Sequence, residues 1–198
     1  MCQFIESIQC RAGKILNLPL HQQRVDQSLE RYKTAASIHL EAIISALDIP
    51  PKGIYKLRIL YDTEGVFSTE FQVYQRPVIT QFRLVEAPHI QYDLKYANRE
   101  ALLQLKSSQP SEEVIITQNG AITDTSFSNL VFLKDDKWYT PETFLLNGVQ
   151  RQHLLNRQQI QSMAINTGNL PSFSHFKIIN AMNELSQSPS YPISQIIL

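Results

Sequence analysis

The Asn119-Gly120 pair is the strongest short-range constraint in the chain. Both residue types accept the left-handed backbone that a two-residue hairpin turn needs, and they stand between two extended segments, Glu113–Gln118 and Ala121–Thr125. An antiparallel hairpin is therefore expected in the second half. The first half carries the same signature: Tyr55–Tyr61 and Phe67–Tyr74 both alternate, with Asp62-Thr63-Glu64-Gly65 as the turn between them. Leu130–Leu133 and Trp138–Thr140 flank a further turn at Lys134–Lys137. A chain punctuated in this way is committed to antiparallel sheet before any helix is considered.

The remaining segments distribute around those hairpins. Phe4–Gln9 reads as a strand, Ala12-Gly13-Lys14 as a turn and Ile15–Leu18 as a returning extended piece. Pro19 can open a helix, with Val25, Ser28, Leu29, Tyr32 and Ala36 on one face. Leu40, Ile43, Ile44 and Leu47 form a second amphipathic pattern, stopped by Pro50-Pro51. Gln75-Arg76-Pro77 ends the first hairpin, which sets a domain boundary near Val78: residues 1–78 as a small antiparallel sheet with two helices, residues 79–198 as a second domain. In the second, Phe82–Glu86 is extended and Lys95 stands at the pivot before a helix expected to reach Lys106, so this domain is expected to carry Lys95. Val149–Ile160 reads as helical, and Phe176–Ile179 and Ile193–Ile197 as short strands. The expected class is α+β.

Composition removes several functions. With 198 residues, 43% of them hydrophobic, the chain can bury a substantial core. Eighteen basic residues balance eighteen acidic ones, so no global field draws in nucleic acid or anionic lipid, and aromatics are not interleaved with a basic stripe. Neither a membrane-length apolar run nor a basic flank leading a long apolar stretch is present. Cys2 and Cys10 are poorly spaced for a mutual bridge within one strand and read as reduced thiols of a cytoplasmic protein. The five histidines, His21, His39, His89, His153 and His175, have no ligand spacing, so no metal site is expected. Nucleophile-elbow, Walker-type and dinucleotide-binding glycine patterns are all missing.

Four motifs remain: H-x-x-R at His21–Arg24, K-x-x-N-R at Lys95–Arg99, T-D-x-S-x-S-N-L-x-F at Thr123–Phe132, and L-x-G-V-x-R at Leu146–Arg151. In that order, from about Phe4 to Ile193, they resemble the class IV (fold-type IV) pyridoxal-phosphate enzymes, which include branched-chain and D-amino-acid aminotransferases and aminodeoxychorismate lyase. The K-x-x-N-R form is most similar to the lyase branch. The resemblance implies the D-amino-acid aminotransferase-like fold, with a small two-layer α/β N-terminal domain and a β-barrel-like C-terminal domain. It also implies pyridoxal 5'-phosphate as cofactor, a small-molecule amino substrate and a homodimer. Typical members are longer at both ends, so a wider mouth, or substrate contacts supplied by a second subunit, would be expected here.

The same resemblance assigns roles. Lys95 would be the amine that condenses with the cofactor aldehyde and later shuttles protons, its pKa lowered by desolvation. Asp124 would hold the pyridine nitrogen protonated, in a position where the family usually carries glutamate. Arg24 would grip the phosphate, since a guanidinium fork meets two phosphate oxygens at once. Gly148, Val149 and Gln150 open a predicted helix whose amides would receive the same phosphate, with glutamine where threonine is common. Asn180 matches a last phosphate donor, Leu146 the leucine beneath the ring, and Asn129 a structural residue of the carboxylate loop.

Each residue also has a plainer reading. Lys95 fits a solvated surface lysine, His21 and Arg24 an exposed polar helix face, Asp124 an Asx-type turn and Leu146 ordinary core packing. Arg58, on the strand face opposite Leu57 and Ile59, fits either a solvated strand arginine or a clamp for a substrate carboxylate. The chemistry is left between transamination and elimination of pyruvate to give 4-aminobenzoate. A binding protein that keeps the fold without catalysis is the third reading.

Overall fold

The computed structural model describes residues 2–197. The first strands follow the alternation read from the sequence. β1 (Gln3–Arg11) turns through Ala12 and Gly13, both at positive φ, into the short β2 (Lys14–Ile15). α1 (Leu18–Arg31) opens on Pro19 and buries His21, Arg24, Val25, Ser28 and Leu29 along one face. It stops short of Tyr32 and Ala36, because Lys33 takes a left-handed φ of 50° and the Thr34 amide turns back to the Leu29 carbonyl. α2 (Leu40–Ser45) is correspondingly brief. β3 (Ile54–Asp62) and β4 (Phe67–Val73) form the expected hairpin, closed by Gly65 and by the Asp62 carboxylate, which accepts the Glu64 and Val66 amides. The sheet order is β2-β1-β3-β4, antiparallel throughout. Phe4, Ile8, Val25, Leu29, Leu57 and Ile59 make its core under the two helices.

After β5 (Gln81–Glu86), helix forms only at α3 (Glu100–Leu103), one turn rather than the run to Lys106 expected from the leucine spacing. Lys106 is instead drawn to Glu113, with Nζ 2.7 Å from Oε2. β6 (Glu112–Gln118) and β7 (Ala121–Thr125) flank the predicted turn, with Asn119 at φ 52° and Gly120 at φ 76°. β8 (Asn129–Lys134) and β9 (Lys137–Pro141) form the next hairpin. α4 (Val149–Asn156) is shorter than expected, and β10 (Gln161–Met163) then pairs parallel with β9. β11 (His175–Ile179) lies antiparallel to β8, β12 (Tyr191–Pro192) pairs with β11, and β13 (Ile196–Ile197) runs parallel to β5.

The chain divides into two compact units. One runs to Gln75 and includes Leu94–Asn98; the other comprises Arg76–Asp93 and Arg99 onward. The sequence put Lys95 in the C-terminal domain, whereas its segment belongs to the first unit. The reason is an unfilled edge. β2 covers only the end of β1, so the start of β1 takes residues 94–98 instead: the Ile5 amide donates to the Lys95 carbonyl and the Ala97 amide to the Gln3 carbonyl, at 3.0 and 2.8 Å. Tyr96 bridges to Phe4 and lays its ring 5.6 Å from that of Phe4. The second unit has a separate aromatic core, in which Phe82, Phe132, Phe176 and Tyr191 pack on one another.

Candidate active site

In the first unit a charge lies on the buried face of a strand, in line with Phe4 and Ile8. Glu6 is fully buried on β1, between Phe4 and Ile8 in sequence. α1 brings Arg24 against it as a fork, with Nε donating to Oε1 at 2.8 Å and Nη2 to Oε2 at 2.5 Å, and His21 Nδ1 also meets Oε2 at 2.5 Å. Burial alone would push the Glu6 carboxyl up, but the Arg24 charge and the hydrogen bonds from Arg24 and His21 outweigh it and hold it at about 2. Burial lowers the pKa of His21, with Glu6 opposing and the charges of Arg24 and Lys95 adding to the fall. The Glu6 bond assigns a proton to Nδ1. Its buried Nε2 has no hydrogen-bond partner among the described residues. His21 and Arg24 thus form a buried ion cluster rather than an exposed polar face. Lys95 itself is half-buried.

Glu6 escaped the sequence reading. The available signal was a carboxylate alternating with Phe4 and Ile8 on one face of the strand, which must find a cation when that face is buried.

In the second unit, Asp124 is 4% exposed near the end of β7. Its Oδ2 accepts the amides of Leu145 and Leu146 at 3.0 and 2.9 Å, and its Oδ1 accepts Asn129 Nδ2 at 2.7 Å. These partners lie up to 22 residues away, so Asp124 organises a distant segment and is no local Asx turn. Burial raises the carboxyl to about 6, against the pull of the three hydrogen bonds and the Arg151 charge. A carboxylate offers about four acceptor positions; three are used, and Oδ1 retains one.

Asn129 behaves as the structural residue expected, since its Nδ2 also donates to the Leu146 carbonyl at 2.8 Å. That approach explains Gly148: a Cβ there would sit 2.1 Å from Asn129 Oδ1. Gly148 caps α4 in an extended conformation and contributes no side-chain bond. Gln150 is 3% exposed.

Asn180 is largely committed to its own turn. Its Oδ1 accepts the Met182 and Asn183 amides, and Nδ2 donates to Ser128 Oγ at 2.8 Å. It therefore ties the end of β11 to the loop after Asp124. Arg58 lies directly opposite Glu70 across the β3–β4 ladder, 3.4 Å away, with side chains 38% and 57% exposed. This is a solvated cross-strand pair, the plainer of the two readings of Arg58.

The donor set fits a phosphorylated pyridine cofactor. The amides at a helix start suit a phosphate, and a buried carboxylate with one acceptor position left suits a protonated ring nitrogen. In the first unit, the Arg24 guanidinium is held in place by Glu6.

Comparison with known proteins points the same way. The family profile described as amino-transferase class IV matches residues 3–190. An uncharacterized protein of Haemophilus influenzae is 35% identical over 189 residues, covering 93% of this chain and 100% of its own. A solved structure from Haemophilus somnus, described as a candidate 4-amino-4-deoxychorismate lyase, is 31% identical with a TM-score of 0.85, covering 93% of this chain and 98% of its own. A Mycobacterium tuberculosis structure, described as a hypothetical aminotransferase in its PLP-bound form, shares the fold at 14% identity and a TM-score of 0.77, over 98% of this chain and 81% of its own.

Proposed function

Because the chain belongs to the class IV aminotransferase family, we propose that it is a pyridoxal-phosphate enzyme that uses Lys95 to move a proton at the amine-bearing carbon of an amino acid or amino-chorismate-type substrate. The observation that carries this reading is Asp124, a buried carboxylate held by three N–H donors with one acceptor position kept back. When bound, pyridoxal phosphate supplies an aldehyde that captures amines and a ring that accepts the electron pair left by a departing proton.

The chain's own residues do the rest. Asp124 holds the proton at the ring nitrogen, and its position is set by Asn129 and by the Leu145 and Leu146 amides. The amides of Val149 and Gln150 would receive the phosphate, and Arg24, kept in place by Glu6, is proposed as a charged donor. Leu146 would pack against the ring, and Asn180 steadies the Ser128 loop. Lys95 Nζ takes the proton from the substrate carbon. In a transamination that proton would be returned elsewhere and water would release the oxo acid, the amino group staying behind; in an elimination the substrate would instead break its bond to the neighbouring oxygen and release pyruvate.

The likeness to the Haemophilus somnus protein favours elimination from aminodeoxychorismate as the second reading. A homodimer and a cytoplasmic location belong to the same proposal. The test is a paired assay of the purified protein with pyridoxal phosphate: amino transfer to 2-oxoglutarate against pyruvate release from aminodeoxychorismate. Turnover in either assay that is lost in Lys95→Ala supports the reading, and turnover that survives the substitution overturns it.

A further inference from the structure

We propose that Arg151 is a positioning residue for the Asp124 carboxylate, acting through the segment that joins β9 to α4. The inference rests on the role given to Asp124 above and deepens it.

Arg151 lies in the first turn of α4 and is 5% exposed. Its guanidinium reaches back over the segment that leads into the helix. Nε donates to Thr140 Oγ1 at 3.3 Å and Nη2 to the Pro141 carbonyl at 3.0 Å, at the end of β9. Nη1 donates to Asn147 Oδ1 at 2.9 Å, at the other end of the segment. Between these points the guanidinium lies over the Phe144 ring, 4.5 Å from its centre. One planar group therefore holds the segment at its start, middle and end. The two amides bracketed by Phe144 and Asn147 are those of Leu145 and Leu146, the donors to Asp124 Oδ2. Thr140 passes the hold on to β8 through its own hydrogen bond to the Leu130 carbonyl at 2.9 Å.

The charge of this clamp needs a reason beyond structure. Every hydrogen bond of the guanidinium goes to a neutral oxygen, and burying a cation without a contacting anion is expensive. A loop clamp alone could be built from neutral donors or from packed aliphatic side chains. What the cation adds is a field at Asp124. Burial pushes the Asp124 carboxyl up and the Arg151 guanidinium down, and each charge opposes the other's shift. Asp124 is met from β8 by the neutral Asn129 amide and from the segment by neutral backbone, so the charge bearing on it comes from α4.

The test is a carboxyl-carbon NMR titration of Asp124 in the full chain stripped of cofactor, with the resonance identified by its loss in Asp124→Asn. Arg151→Met is expected to raise the proton affinity of Asp124 about tenfold, a shift of about one pKa unit. Arg151→Lys restores the charge without the fork and is expected to give a rise of about threefold. A general loss of stability does not move this midpoint, so a role confined to packing predicts wild-type titration in both variants. That result overturns the proposal. If Arg151→Met does not fold, Arg151→Lys decides alone: a raised midpoint supports the positioning role and an unchanged one refutes it. Because the titration needs no cofactor, its failure is distinct from a failure of wild type to capture pyridoxal phosphate.

Discussion

Replacing Gly148 with alanine tests whether the segment before α4 is locked by close approach rather than by backbone freedom. Gly148 has φ −65° and ψ 147°, a conformation alanine adopts readily, so the cost must come from contact. The new Cβ would lie 2.1 Å from Asn129 Oδ1 and 3.3 Å from Asn129 Cγ, and the asparagine would have to move by more than an ångström. It is not free to do so cheaply. Its Nδ2 donates to a buried carboxylate and to a carbonyl, bonds worth about 1.5–3 and 0.5–1.5 kcal/mol respectively. Gly148→Ala is therefore expected to cost about 2–4 kcal/mol. For a chain of this length that is a fall in Tm of roughly 10 °C. The assay is denaturant unfolding of a double-mutant cycle with Asn129→Ala. Once the asparagine is gone the clash is gone, while any penalty for alanine as a helix cap is common to both backgrounds and cancels. The two substitutions should then be coupled by about 2 kcal/mol or more. A coupling below about 0.5 kcal/mol would refute the reasoning.

Glu6 and Asp124 predict opposite pH dependences. The folded pKa of Glu6, about 2, lies below its ordinary 4.5, so its stabilisation is present above about pH 4.5 and is lost as pH falls toward 2. Glu6→Gln should lower stability by about 3 kcal/mol at neutral pH, and urea midpoints of variant and wild type should converge on acidification; a constant gap contradicts this. The folded pKa of Asp124, about 6, lies above its ordinary 3.8, so wild type should lose about 3 kcal/mol as pH rises from 4 to 7. Asp124→Asn should remove that fall, and parallel stability curves would argue against a protonatable buried carboxyl. Arg58→Ala should change stability by less than about 0.5 kcal/mol, as for other solvated pairs, and leave KM unchanged in whichever assay shows turnover; a large rise in KM would restore it as a substrate clamp.

What was legible in the sequence was local. Asn119-Gly120 fixed its hairpin because two residues suffice to set that turn, and Pro19 placed the start of α1 for the same reason. Leu102 and Leu105 misled, because apolar spacing over a single turn is too short a pattern to extend a helix. The parallel partners were invisible: β5 against β6 and β13, and β9 against β10, are brought together by distant segments with no turn signal between them. The candidate site divides along the same line. Asp124 could be picked out by its motif, but its donors at Leu145 and Leu146 could not, since nothing in a backbone amide advertises where it will point. Arg151 ended a motif without having any partner assigned. The Lys95 segment was assigned to the wrong unit because its pairing with β1 spans about ninety residues of chain.

The most direct test of the account is to trap the cofactor. The purified protein is given pyridoxal phosphate, reduced with borohydride, digested and mapped by mass spectrometry, beside Lys95→Ala treated in the same way. The account predicts a reduced pyridoxyl group on the peptide carrying Lys95 and on no other, and none in the variant. An identical adduct in Lys95→Ala, or an adduct confined to another lysine, would contradict it.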